Sequence, residues 1–413
     1  MHRTHPRRLA LLLPLLGVTW LWPDATGAQT SFRLAVTESL ERLDHDGPTT
    51  DPKHAPAVTA TVEHLAFDER LRVFSDVDAG TFVSDGDWKY LAFSVGASQR
   101  FDLGADHRRL FIGGQASVRL NGDAWTDANY RGVSAFANLE VRPAPTSALR
   151  TGYRFTGRTF PDLGSLDQQE HAVFGSALVN LPSRTTLIGE VTTGVKSFDR
   201  VVDTNIMDPG PALPVAATRV GRGPGVGQQT GATSFRPSPM HVLTSVRGDR
   251  AQLVQVFGRV AQSLADRLSI SGDVTVRWAF GGAPPTLVAT PEVLFDDAVY
   301  DDPYASDGWS LRVGMKRVFA GGAALEGGVW HVAKDYTAAV ALDAEGLPLA
   351  DYAVRRDRAW RGSVELSLPI APERSGPVSL HWWAGYRLTG STSNDAFYTY
   401  TSHRVGTGLT LRY

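Results

Sequence analysis

The stretch that most constrains this chain is its last one, Thr401–Tyr413. Successive side chains of a strand point to opposite faces. Read that way, Val405, Thr407, Leu409, Leu411 and Tyr413 share one face, and Arg404, Gly406, Gly408, Thr410 and Arg412 share the other. A strand apolar on one side and polar or small on the other suits a wall between lipid and water.

The same period recurs along the chain, giving about sixteen candidate strands from Phe32 onward. Between Arg267 and Phe280, Leu268, Ile270, Val274, Val276, Trp278 and Phe280 oppose Arg267, Ser269, Ser271, Asp273, Thr275 and Arg277. Val378–Leu388 sets Val378, Leu380, Trp382, Ala384, Tyr386 and Leu388 against Ser379, His381, Trp383, Gly385 and Arg387. Tyr90–Phe101, Arg109–Leu120, Gly132–Val141, Leu149–Arg158 and Trp360–Ile370 behave alike, whereas Val58–Phe67 and Gln252–Gln262 alternate poorly. Short connections (68–69, 103–106, 143–146, 182–183, 265–266, 320–322, 371–376) interleave with long ones (43–56, 121–129, 159–166, 199–248, 282–305, 336–356, 390–399). Short turns on one side and long loops on the other are what a transmembrane β-barrel requires, and with both chain ends periplasmic the strand number is even. The expected fold is all-β: a single antiparallel barrel over 29–413.

Residues 1–28 read as a cleavable secretory signal, with Arg3, Arg7 and Arg8 before an apolar Leu9–Trp22 run and a small-residue site at Thr26-Gly27-Ala28. The chain has no cysteine, which excludes a lipid anchor on cysteine, disulfides and thiolate metal sites. Net charge is −2 with no long charge run, which argues against nucleic acid as a partner. Past the signal, no apolar run reaches the roughly 18 residues of a membrane helix. A barrel escapes that test because each strand is only half apolar.

Two resemblances follow. The terminal Tyr413, with Leu409 and Leu411 before it, resembles the C-terminal signal by which bacterial outer-membrane barrels are recognised for assembly, which implies the barrel assembly machinery as a partner. Thr392-Ser393-Asn394-Asp395-Ala396-Phe397-Tyr398-Thr399-Tyr400, running into Ser402–Gly406, is similar to the closing hairpin of a bacterial barrel group with an S-N-x-x-[FLY]-Y-x-Y loop before the final strand. That group includes outer-membrane proteins of unassigned function and the C-terminal barrels of surface lipoprotein assembly modifiers and exopolysaccharide export porins. Asp301-Asp302-Pro303-Tyr304 resembles the same group. In the exporters a helical repeat domain recruits cargo, and none precedes the barrel here.

If apolar faces meet lipid, the opposite faces bring Arg72, Arg100, Arg119, Arg150, Arg154, Arg158, Arg277, Arg312, Lys316, Arg361, Arg387, Arg404 and Arg412 into the lumen. The acidic residues on those faces are Asp76, Asp78, Glu140, Glu190, Asp273 and Glu365. An excess of cations in a water-filled pore favours anions; pairing with carboxylates is the competing role. Asp296, Asp297, Asp301, Asp302 and Asp307 read as a solvated acidic loop without calcium-loop spacing. Trp88, Tyr90, Tyr130, Trp278, Trp309, Trp360, Tyr386, Tyr398 and Tyr400 read as interfacial girdles, and Trp383 as lumen packing. Gly221–Gly227 lacks the strand–helix context of a nucleotide loop.

Adjacent Ser402 and His403 point apart, and no hydrolase elbow or zinc signature occurs, so neither an enzyme nor a cofactor is expected. The leading expectation is an outer-membrane, porin-like channel for small hydrophilic or anionic solutes in a Gram-negative-type cell. The alternatives are a barrel module for exporting or assembling a polysaccharide or surface protein with a periplasmic partner, and a plugged structural or surface-interaction barrel. A homo-oligomer is left open.

Overall fold

The computed structural model describes residues 29–45, 53–67, 69–81, 89–104, 107–122, 126, 129–162, 164, 167–198, 242–243, 250–282, 286–287, 302–343, 347–371 and 378–413. The signal segment, the 199–241 part of the longest loop, Trp88, Asp296, Asp297 and Asp301 lie outside the described residues.

Sixteen long strands form one wall: β1 (Gln29–His45), β2 (Ala57–Ala66), β3 (Leu71–Thr81), β4 (Lys89–Asp102), β5 (Arg108–Asn121), β6 (Tyr130–Ala144), β7 (Ser147–Thr159) and β8 (Gln168–Leu181), then β9 (Thr185–Phe198), β10 (Arg250–Ala265), β11 (Leu268–Gly281), β12 (Ser306–Val318), β13 (Ala324–Val340), β14 (Val354–Ala371), β15 (Ser379–Ser393) and β16 (Tyr400–Arg412). Each pairs antiparallel with the next. β16 then pairs back onto β1 from Arg33↔Arg412 to His45↔Tyr400, which closes the barrel and leaves no edge. Phe32 and Tyr413 exchange backbone hydrogen bonds of 3.0 and 2.9 Å at the end of that seam. Closure is what a spanning sheet needs, since lipid offers no partner to an open strand edge.

The connections sort by side. At the end that holds Gln29 and Arg412, strands are joined across 67–70, 103–107, 145–146, 182–184, 266–267, 319–323 and 372–378. The opposite end carries 46–56, 82–88, 122–129, 160–167, 199–249, 282–305, 341–353 and 394–399. The joint 319–323 shows how a short turn is made. Gly322 takes φ 82°, a conformation that penalises a Cβ, while Phe319 N donates to Ala323 O at 2.8 Å.

One face of the wall carries large apolar side chains that remain exposed on the isolated chain, among them Val36, Ile112, Val133, Val173, Val191, Val313, Val329 and Val405. They belong to many different strands, so the apolar band encircles the barrel. Soluble proteins seldom leave so continuous an apolar surface uncovered. Lipid contact is the environment that accommodates it.

The two strands that alternate poorly in sequence are part of this wall. β10 turns Ala251, Leu253 and Phe257 to the inner face, where a period-2 reading expects polar residues. Ala251 and Leu253 form a buried cluster with Phe198 and Tyr304, so a loop segment inside the barrel supplies their apolar environment.

Candidate functional site: the inner wall

Directly paired residues share a face, so the registers trace the inner surface from strand to strand. Arg404 is opposite Arg387, Arg387 opposite Ser363, Ser363 opposite Gly328, and Gly328 opposite Gly314. Continued around the barrel, this face returns to Arg33 opposite Arg412 without a swap. It carries Arg72, Arg100, Arg119, Arg150, Arg154, Arg158, Arg277, Arg312, Lys316, Arg361, Arg387, Arg404 and Arg412, together with Asp76, Asp78, Glu140, Glu190, Asp273 and Glu365. Leu409, Leu411 and Tyr413 lie on the opposite, outer face, with Leu409 and Tyr413 exposed.

The same face holds charges that sequence patterning does not select: Glu63, Glu170, Lys196, Arg259, Glu326, Lys334, Arg355 and Asp357. Glu63 and Arg259 fall in the two poorly alternating strands. Arg355 falls in what reads as a loop and is in fact the start of β14.

Most inner cations are partnered. Glu140 accepts from Arg150 at 2.7 Å and Arg142 at 2.8 Å. Asp273 takes a two-pronged contact from Arg259 at 2.6 and 2.8 Å. Arg72 meets Glu63 at 3.0 Å, Arg154 meets Glu170 at 3.5 Å, and Arg100 lies 3.6 Å from Asp102. Arg312 and Lys316 sit 4.0 and 3.8 Å from Glu326. Arg119 and Arg158 lie over the rings of Tyr90 and Tyr130, and Arg404 donates to Ser39 Oγ at 3.0 Å. Among the described residues, Arg277 and Arg361 face inward with no carboxylate partner. Arg361 lies over the Trp330 ring at 5.0 Å, and its buried Nε has no acceptor. The β11–β14 wall therefore carries positive charge that no carboxylate among the described residues offsets at Arg277 and Arg361.

The inner wall is wet. Arg72, Arg150, Arg154, Arg259, Arg312 and Lys316 keep 42–56% of their side-chain surface accessible although they point into the barrel. A barrel filled by its own side chains would bury them.

One segment does enter the lumen. Asp302–Ala305, just before β12, crosses the inner face of β11 and β10 to reach β9. Tyr304 is 1% exposed and packs on Phe198, Ala251 and Leu253. Asp302 accepts from Tyr304 N at 2.9 Å and forms a buried ion pair with Lys196. Burial first, then the nearby Glu170 charge, pushes the Tyr304 phenol above the ordinary range. Asp307 accepts from Ala279 N at 2.6 Å. The solvated acidic loop expected here is thus corrected at Asp302, which is buried and held by a cation and a backbone donor, while Asp307 stays exposed.

A second fixed element lies at the mouth. Arg355 is held between the rings of Tyr336 and Tyr398, and Asp357 accepts its Nε–H at 3.0 Å. Ser393 Oγ donates to Asp357 Oδ1 at 2.7 Å. Asn394 accepts from Arg356 N at 2.7 Å and donates to Val354 O at 2.9 Å. Asp395 accepts from Leu342 N at 3.1 Å, tying the 341–353 connection to the closing hairpin. The motif that carries the family resemblance is here a clasp between two loops.

Trp278, Trp309, Trp360 and Tyr386 are outward and exposed, the orientation a girdle requires. The girdle reading fails for Tyr90, Tyr130 and Tyr400, which the registers place on the inner face, and for Tyr398 in the clasp. Tyr90 Oη donates to Asp78 at 3.3 Å inside the barrel. Trp383 lies inward against Gly406 and Gly408, where a Cβ at Gly408 would come within 2.6 Å of its Nε1. Ser402 is inward and buried, whereas His403 is outward with its Nδ1 2.8 Å from Tyr386 Oη.

No family model matches this chain, and no curated protein matches it in sequence. Its structure is similar to outer-membrane channels. OpdO of Pseudomonas aeruginosa superposes with a TM-score of 0.48 at 10% identity, covering 94% of this chain and 98% of that one. OpdK of the same organism, solved with vanillate, gives 0.45 at 10% identity over 93% and 99%. A loop-deletion mutant of OmpT of Vibrio cholerae gives 0.44 at 12% identity over 94% and 99%. At such identities and scores the likeness assigns neither substrate nor partner to this chain.

Proposed function

We propose that this chain is an outer-membrane channel that passes small hydrophilic solutes by diffusion and favours anions. A closed barrel of about sixteen strands is wide enough to leave an aqueous path unless it is plugged. The observation that carries the reading is the half-exposed state of inner-wall cations combined with Arg277 and Arg361, which have no carboxylate partner among the described residues. Water-filled space lined by uncompensated positive charge raises the local concentration of anions. In this reading the outer apolar band meets lipid, and Leu409, Leu411 and Tyr413 present the outer face of the last strand to the barrel assembly machinery.

The closing-hairpin resemblance supports a second reading, a barrel module for an exported polymer or surface protein working with a separate periplasmic partner. Liposome swelling separates the two. Proteoliposomes should swell in isotonic gluconate faster than in isotonic potassium salts of equal size whose anion is excluded. Vesicles that do not swell in any small solute would overturn the channel reading and favour the partner-gated one.

A further inference from the structure

A cavity of about 280 Å³ indents the inner wall between β11 and β16. Its floor is built from small side chains. Thr275, Ser310, Val332, Ala359 and Ser391 form one rung across five strands, and Gly308 lies on the next. Gly308 is closed to larger residues because a Cβ would run into Ala333 O of the neighbouring strand. Arg277 and Arg361, two inner arginines without a carboxylate partner among the described residues, both line the hollow, as do Lys334 and Arg355.

We propose that this cavity is a binding site for a small hydroxylated carboxylate, an anion of the sugar-acid type, within the permeation path. The proposal rests on the anion-channel reading above and deepens it. Guanidinium forks match a carboxylate's two oxygens. Hydroxyls from Thr275, Ser310, Thr389 and Ser391 line the same hollow and can serve hydroxyl groups of a ligand. Three of the rings that line the hollow already face a cation: Arg361 lies over Trp330, and Arg355 lies between Tyr336 and Tyr398. That reduces the ring face on which an aromatic acid can stack. Asp357 in the lining is already paired with Arg355, and Lys334 lies beside them, so phosphate is the rival anion that the titration below separates. The volume sits at the small end of ligand pockets, which run from about 300 to 1,000 Å³, and suits a monosaccharide-sized anion.

The test is calorimetric titration of the full-length protein in detergent with sodium gluconate, glucose, sodium benzoate and sodium phosphate. Bilayer conductance is recorded on the same preparation. Saturable binding of gluconate, with glucose, benzoate and phosphate weaker, is expected. Arg277→Gln/Arg361→Gln should weaken gluconate binding about tenfold or more, as loss of a charge-assisted hydrogen bond implies. Ala359→Leu, which fills the floor without changing charge, should do the same, while Arg184→Gln in the short 182–184 turn should not. Gluconate binding no better than glucose, binding unchanged in both pocket variants, or tighter benzoate or phosphate would overturn the site. Conductance without gluconate binding removes the site and leaves the channel; gluconate binding without conductance supports the site and removes the channel.

Discussion

Lys196 on β9 and Asp302, 106 residues later, form an ion pair buried on the inner wall, and the pair fixes the segment that enters the lumen. Removing one partner of a buried pair leaves the other charge uncompensated, typically at about 3–5 kcal/mol, whereas replacing both with apolar groups costs far less. Asp302→Asn should therefore lower the unfolding temperature and raise single-channel conductance as Asp302–Ala305 leaves the wall. Lys196→Met/Asp302→Leu should recover most of the lost thermal stability. Equal melting of the single and double variants would contradict this role.

Gly194 lies directly beneath the Tyr304 phenol, with no room there for a Cβ. Gly194→Ala should displace Tyr304 and give the conductance phenotype of Asp302→Asn. Tyr304→Ala should then add little to Gly194→Ala, because both act on one contact. A double-mutant cycle on conductance and melting reads this coupling directly; simple additivity would show that the two residues act separately.

The barrel is legible in the sequence wherever lipid and water alone decide the pattern. In β11, Ile270, Val274, Trp278 and Phe280 are all outward and exposed, as alternation expects. The pattern breaks where the lumen is not water. Ala251 and Leu253 face inward because Tyr304 covers them, and no local signal in β10 reports a residue from another loop. Individual charges are legible as facing inward, but their partners are not. Arg259 with Asp273 and Arg150 with Glu140 are neighbours only through strand register, so which cations stay unpaired emerges only from the assembled wall. The closing motif is legible as a resemblance, and its physical job, a clasp on Asp357 and Leu342, depends on residues in other connections.

At the mouth, Asp395 holds the Leu342 amide and Leu342 O accepts from Ala396 N at 3.0 Å. Asp395→Ala and Tyr398→Ala should speed hydrogen exchange at Leu342 and Ala396 by about tenfold or more, the scale expected when a hydrogen bond to a charged group is lost. Exchange in the middle of β15 should not change. Uniform acceleration across the barrel would instead indicate global destabilisation.

The raised Tyr304 phenol gives a pH dependence whose sign follows from linkage. In the unfolded chain the phenol ionises near 10.0, while in the folded chain it stays protonated to higher pH. The resulting stability is fully present below pH 10 and declines as the pH rises beyond it, because the unfolded state then binds fewer protons. Tyr304→Phe should flatten the alkaline fall in melting temperature expected between about pH 9.5 and 11, the window set by the ordinary phenol value. An unchanged alkaline slope in Tyr304→Phe would remove Tyr304 from that effect.

The central claim is that the barrel is open and that its unpaired cations select anions. The most direct measurement is the reversal potential of single channels in a planar bilayer under a potassium chloride gradient, for wild type and for Arg277→Glu/Arg361→Glu. The expected result is steady conductance with anion selectivity in the wild type, moved toward cations in the double variant. The same substitution made at the paired Arg72 and Arg154 should produce a smaller shift. Wild-type channels that conduct without anion preference, or that keep it after Arg277 and Arg361 are reversed, would contradict the account.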